Sequence, residues 1–155
     1  MLGSEVERLL RDAVRELVVS DKEVDITDYN QLRDFAGEKS IRWIVNCSAY
    51  TAVDRAEDEP EAAHAVNSLG VQNIARLASE KKARLIHIST DYVFDGTKGG
   101  AYTEEDIANP MGAYGLSKLE GERNIQGALE EYFILRTAWL YGKNGPNFVN
   151  TMPVS

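Results

Sequence analysis

At 155 residues the chain has the length of one domain, and 43% hydrophobic with 27% charged residues, without a long apolar run, excludes a disordered tail and a membrane span. A net charge of -8 disfavours a nucleic-acid partner and repels anions at long range, so any phosphate must be held by local groups. The single Cys47 rules out an intramolecular disulfide and points to the cytoplasm, while His64 and His87 are isolated and lack metal-ligand spacing, so no metal is expected.

Helix and strand patterns alternate without a linker or repeat. Residues 4–14 predict a helix with Val6, Leu9, Leu10 and Val14 on one side, and 16–19 a short strand. Thr27 or Asp28 can cap a helix running to Lys39; 41–47 reads as a buried strand in which Cys47 packs as a small hydrophobe. Thr51 and Asp54 stand where they can cap the next helix. A longer helix is expected over 60–81, its acidic start at Asp58, Glu59 and Glu61 suiting the macrodipole and reading as a solvated end. The run 84–89 is apolar and β-branched and ends abruptly in Ser89, Thr90 and Asp91. It predicts a buried parallel strand that delivers polar groups at its C-terminal end, where open α/β sheets bind ligands; the same residues also suit a turn or helix cap. A Gly-rich loop at 96–100 follows, Asn109-Pro110 precedes a helix carrying Tyr114, and 132–140 predicts the last strand. This alternation implies right-handed crossovers and a parallel sheet.

Within that frame Tyr114 and Lys118 are spaced Tyr-x-x-x-Lys, which puts both on one helix face. A tyrosine with a pKa of about 10 shuttles protons poorly at neutral pH, but an adjacent ammonium stabilises the phenolate and lowers that value. Such a pair suits general acid-base work. Asp21 offers a carboxylate that can accept from a sugar hydroxyl, whereas Lys22 beside it can meet a phosphate.

Together with Asp25-Ile26-Thr27-Asp28, Val45-Asn46-Cys47-Ser48-Ala49-Tyr50-Thr51-Ala52-Val53-Asp54, Ala56-Glu57, Asn67 and Arg136-Thr137-Ala138-Trp139-Leu140-Tyr141-Gly142, these segments resemble the extended short-chain dehydrogenase/reductases. Within them the match is to the dTDP-4-dehydrorhamnose reductases. The resemblance implies a Rossmann-like doubly wound α/β fold, a parallel sheet with helices on both faces, and reduction of the C4 keto group of a dTDP-4-keto-6-deoxysugar by NADPH or NADH. It implies a catalytic set of Thr90, Tyr114 and Lys118. Thr90 would bind the sugar C4 oxygen, Tyr114 would protonate it, and Lys118 would lower the Tyr114 pKa and hold the nicotinamide ribose. Ser48, Ala49 and Thr51 match positions lining the cofactor, Asn67 a helical residue beside it, and Asp25 and Ile26 residues flanking the adenine. Val53, Asp91 and Trp139 match positions facing the sugar nucleotide, although Trp139 after an apolar strand also suits a core position and Asn67 a solvated one.

Gly3 resembles the last glycine of the family's Gly-x-x-Gly-x-x-Gly loop, so the first strand and earlier glycines are expected to precede Met1. Gly145-Pro146-Asn147-Phe148 resembles the turn into a further helix. The expectation is therefore a partial NAD(P)-binding domain over 1–155, truncated at both ends, with the small C-terminal substrate domain mostly missing and an apolar surface exposed. A homodimer is a possible assembly of the complete protein. Two other relatives share the Asp91 to Gly96 and Tyr-x-x-x-Lys segments: the regulatory β subunit of methionine adenosyltransferase, a binding protein, and the sugar-nucleotide epimerases. Ser89-Thr90-Asp91 and Arg136-Thr137-Ala138-Trp139 keep the reductase form.

Overall fold

The structure is a computed structural model and describes residues 1–145. Its frame is a parallel three-stranded sheet ordered β1-β2-β3, formed by β1 (Trp43–Asn46), β2 (Arg84–Thr90) and β3 (Tyr132–Thr137). Trp43 pairs with Arg84, and Leu85 with Tyr132, so the ladder runs on to the Thr90 and Thr137 pair. Because side chains alternate across a strand, Leu85, His87 and Ser89 share one face with Ile44, Asn46, Tyr132, Ile134 and Arg136.

The helices over 71–81 and 113–128 cover that face. α1 spans Leu2–Leu10, α2 Tyr29–Ala36, α3 Arg55–Asp58, α4 Pro60–His64, α5 Val71–Lys81 and α6 Ala113–Ala128. Leu32, Ala36, Val71, Ile74, Leu77, Leu85 and Ile125 form the main core, with Ile26, Ile44, Tyr132 and Ile134 packed against it. Asp28 starts α2 as expected, its carboxylate accepting from the Asn30 amide at 2.9 Å. The helix then stops at Gly37, whose φ of +50 suits a residue without Cβ, short of the expected Lys39. The other sheet face shows Trp43, Phe133 and Leu135 at 42%, 55% and 47% exposure, the expected open apolar surface, with Trp43 and Phe133 stacked on each other.

Several elements differ from expectation. Residues 16–19 form no strand: they pair with none of the described strands, and Val18 and Val19 stay exposed. The helix expected over 4–14 is α1, which ends at Leu10 and buries none of its apolar stripe. The long helix over 60–81 is interrupted at Ala65–Gly70 by a π-helical turn, a widening that recurs at functional sites. Asp54 precedes α3 but makes no capping hydrogen bond through its side chain. The last strand stops at Thr137 rather than Leu140, and Trp139 turns to φ +53, incompatible with extended pairing. The turn expected at Pro146 to Met152 lies outside the described residues.

Candidate active site

β2 delivers its polar end as the sequence predicted. Thr90 terminates the strand with its hydroxyl accepting from the Tyr92 amide at 3.2 Å, so it caps the short 3-10 turn Asp91–Val93. The same hydroxyl donates to Asp91 at 3.2 Å and lies in hydrogen-bonding reach of the Tyr114 phenol. The capping role is thus met, and it leaves the hydroxyl beside the phenol. Between Thr90 and α6, Asp95 organises the loop by accepting from Thr97, Tyr102 and Asn109, and these donors hold its carboxyl well below the usual range.

α6 turns Tyr114, Lys118 and Glu122 toward the sheet in one stripe, as a spacing of four on a helix requires; all three are buried. Its start is fixed by Glu57, which accepts from the Ala113 amide at 2.8 Å, an anion at a helix N-terminus. Within the acidic segment itself, Glu59 accepts from the Tyr50 hydroxyl at 3.1 Å rather than only meeting water. Close approach elsewhere depends on glycine: a Cβ on Gly121 would collide with the Asn67 carbonyl oxygen. Val53 and Tyr50 pack beside Tyr114 with Ala56 and Ala63, and Tyr92 meets the Tyr114 ring edge-on at 5.7 Å.

Burial raises the Tyr114 pKa above 10.0; the Thr90 contact opposes this, while Asp91 and Tyr92 add to it. The lowering expected from Lys118 is not found in this structure, because the ammonium turns away from the phenol. Its Nζ donates to the Ile88 carbonyl at 2.7 Å and faces His87 Nε2 at 3.5 Å. Burial in turn lowers the Lys118 pKa from 10.5 to about 8 against the attraction of Glu122. A protonated Tyr114 is the form that a proton donor needs.

The remaining predicted positions divide. Ser48, its amide donating to Asn46 at 2.9 Å, leads the loop through Ala49 and Thr51 past the end of β1. Asn67 is neither solvated nor available: its amide accepts from the Tyr50 N–H and donates to the Tyr50 carbonyl and Ser117 hydroxyl, clamping that loop to α6. Gly3, in the first turn of α1, stands against Cys47 at the end of β1. Asp25 is engaged by Thr27, and Ile26 packs into the core and against Gly70. Asp21 is exposed, with its amide donating to Glu23. Trp139, 69% exposed, follows β3 past the rung where Thr137 pairs with Thr90, so it stands at the same sheet end.

Sequence reasoning missed the supporting polar row. Arg136 grips Glu122 through two contacts at 3.0 and 2.7 Å, and Ser89 donates to the same carboxylate at 2.5 Å. His87, dismissed as isolated, is fully buried between Asn46 and Lys118. The available signal was period two: His87 and Ser89 must share the face of Leu85, and that face must meet a helix.

A parallel α/β sheet with Thr, Tyr and Lys gathered at its carboxyl end has the architecture of the short-chain dehydrogenase/reductases. The chain belongs to the family described as the RmlD substrate binding domain, whose model matches residues 1–154. It is 43% identical over 153 residues to dTDP-4-dehydrorhamnose reductase of Aggregatibacter actinomycetemcomitans, covering 97% of this chain and 52% of that protein. A crystal structure of a dTDP-4-dehydrorhamnose reductase from Clostridium acetobutylicum superposes with a TM-score of 0.92 at 42% identity, covering 97% of this chain and 54% of that one. The Bacillus anthracis dTDP-4-dehydrorhamnose reductase, solved in complex with NADP, gives a TM-score of 0.87 at 38% identity, covering 93% and 53%. The chain spans about half the length of the relatives it matches.

Proposed function

We propose that this chain forms the catalytic and cofactor-binding part of a reductase that converts the C4 ketone of dTDP-4-dehydrorhamnose to the alcohol of dTDP-L-rhamnose, using NADPH or NADH. The observation that carries this reading is the convergence of Thr90, Tyr114 and Lys118 at the carboxyl end of β2, with the Tyr114 proton firmly held. The names of the relatives favour a reductase over the binding-subunit and epimerase readings. The donor set suits a dinucleotide. The adjacent parallel strands β1 and β2 lead at their carboxyl ends into 47–51 and 91–93, the first turn of α1 stands at Cys47, and a buried lysine lies beside β2. Ser48, Ala49, Thr51 and Lys118 would hold the nicotinamide half, and Gly3 would line the phosphates. The cofactor would supply a hydride to the sugar carbon.

The chain's own residues do the rest. Thr90 donates a hydrogen bond to the ketone oxygen and orients it toward the phenol. Tyr114 gives its proton to that oxygen as negative charge develops there. Lys118, held here at the Ile88 carbonyl, would hold the cofactor ribose and so bring its charge near the phenolate left behind. Val53, Asp91 and Trp139 border the sugar nucleotide, and Asn67 keeps the Tyr50 loop in place. A cytoplasmic enzyme fits this substrate and the single cysteine. The test is reduced-nicotinamide oxidation by the full-length protein with a dTDP-4-keto-6-deoxysugar. Turnover is expected, and Tyr114→Phe should lower it by roughly 100-fold or more; near-full turnover in that variant would overturn the assignment.

A further inference from the structure

Asn46 has one amide orientation available. Its Oδ1 accepts from the Ser48 N–H at 2.9 Å, which leaves the NH2 group to face His87 Nδ1 at 3.0 Å. An NH2 group only donates, so Nδ1 must accept, and the imidazole proton must sit on Nε2. That proton points at Lys118 Nζ, 3.5 Å away. A protonated ammonium meets another donor there, whereas a neutral amine has a lone pair to offer.

We propose that Asn46 and His87 are positioning residues for Lys118: by fixing the imidazole as a donor, they keep the lysine ammonium loosely held in its resting place and ready to move to the cofactor. An acceptor at the same place would bind the ammonium in its resting position. The inference rests on the reductase reading for its purpose but not for its geometry. The other groups around Lys118 do not produce this effect. Glu122, further along α6, attracts the proton, Arg136 of β3 is committed to Glu122, and Tyr114 of α6 is uncharged at neutral pH. The Ile88 carbonyl of β2 is an acceptor that favours the ammonium. The buried position of Lys118, 2% exposed, magnifies each of these contacts.

The test is nuclear magnetic resonance on the isotopically labelled chain. Long-range nitrogen-proton correlations report which imidazole nitrogen carries the proton, and the Lys118 ε-carbon shift reports its titration. His87 should carry its proton on Nε2 throughout the neutral range. Asn46→Leu frees the imidazole to accept from the ammonium, so the Lys118 midpoint should rise by about one pH unit. His87→Gln, whose amide accepts from Asn46 and donates toward Lys118, should leave that midpoint in place. A proton on Nδ1 in the wild-type chain overturns the proposal even if neither variant folds. So does an unmoved midpoint in folded Asn46→Leu. Because no measurement involves turnover, a failure of the reductase reading would show separately, as absent sugar reduction with the imidazole result intact.

Discussion

Acidification should destabilise this chain through one imidazole before its carboxylates titrate. His87 is fully buried, and burial together with the charge of Lys118 lowers its pKa from 6.5 to about 3. The unfolded chain takes up a proton as pH falls through 6.5, whereas the folded chain does not until about 3. The unfolded state therefore binds more protons in that window, and stability rises with pH across it. The contribution is fully present above 6.5 and is lost progressively on the way down to about 3. One proton corresponds to about 1.4 kcal/mol per pH unit, so moving from about pH 7 to about pH 5 should remove about 2 kcal/mol. That is a large fraction of the roughly 5–15 kcal/mol typical of a domain. Urea unfolding followed by circular dichroism at several pH values in this range measures it. His87→Gln keeps the polar contacts but cannot titrate, so its pH dependence should be flatter by that amount. His64, paired with Glu120 at 3.1 Å, is present in both proteins and cancels in the difference. Equal slopes in wild type and variant would refute the reasoning.

Gly121→Ala drives a methyl group into the Asn67 carbonyl, where backbone must move, and should cost roughly 1–3 kcal/mol by urea unfolding while loosening the Tyr50 loop. Arg136→Met leaves Glu122, 1% exposed, without its guanidinium and with Ser89 as its remaining hydrogen-bond donor, and should destabilise by roughly 3–5 kcal/mol. Glu122→Gln should cost less, because Arg136 keeps 26% side-chain exposure and can reach water; the order of the two melting temperatures checks this. Lys118→Met should weaken cofactor binding, measured by titration of reduced nicotinamide fluorescence. It should also abolish the rise in stability between about 8 and 10.5, where the unfolded chain holds a lysine proton that the folded chain has lost.

The fold was legible wherever hydrophobic period and burial agreed. The run 84–89 could only be a strand covered on one face, and Asp28 announced α2 through a side chain that does cap it. The misread segment 16–19 shows the limit, since strand propensity describes a chain that fits a sheet and says nothing of whether that chain docks on one. The π-helical turn at Ala65–Gly70 was hidden for a different reason. Its residues satisfy an ordinary helical pattern, and the extra residue becomes useful only because Asn67 must reach both Tyr50 and Ser117, contacts set by α6 fifty residues away.

Tyr114 and Lys118 were readable as a pair because four residues on a helix bring them to one face, but the spacing could not say what each would touch. Two strands decide that. β2 carries His87 on the covered face, and β1 places Asn46 beside it on the same rung, so Lys118 finds a fixed donor and a carbonyl instead of the phenol. The expected lowering of the Tyr114 pKa fails for this reason. Burial keeps the phenol protonated, and the fixed imidazole donor leaves the lysine loosely held, so the proton donor is set before the lysine is drawn away. Its charge then matters only after Tyr114 has given up its proton, when an ammonium beside a phenolate stabilises the product of that transfer rather than the resting acid.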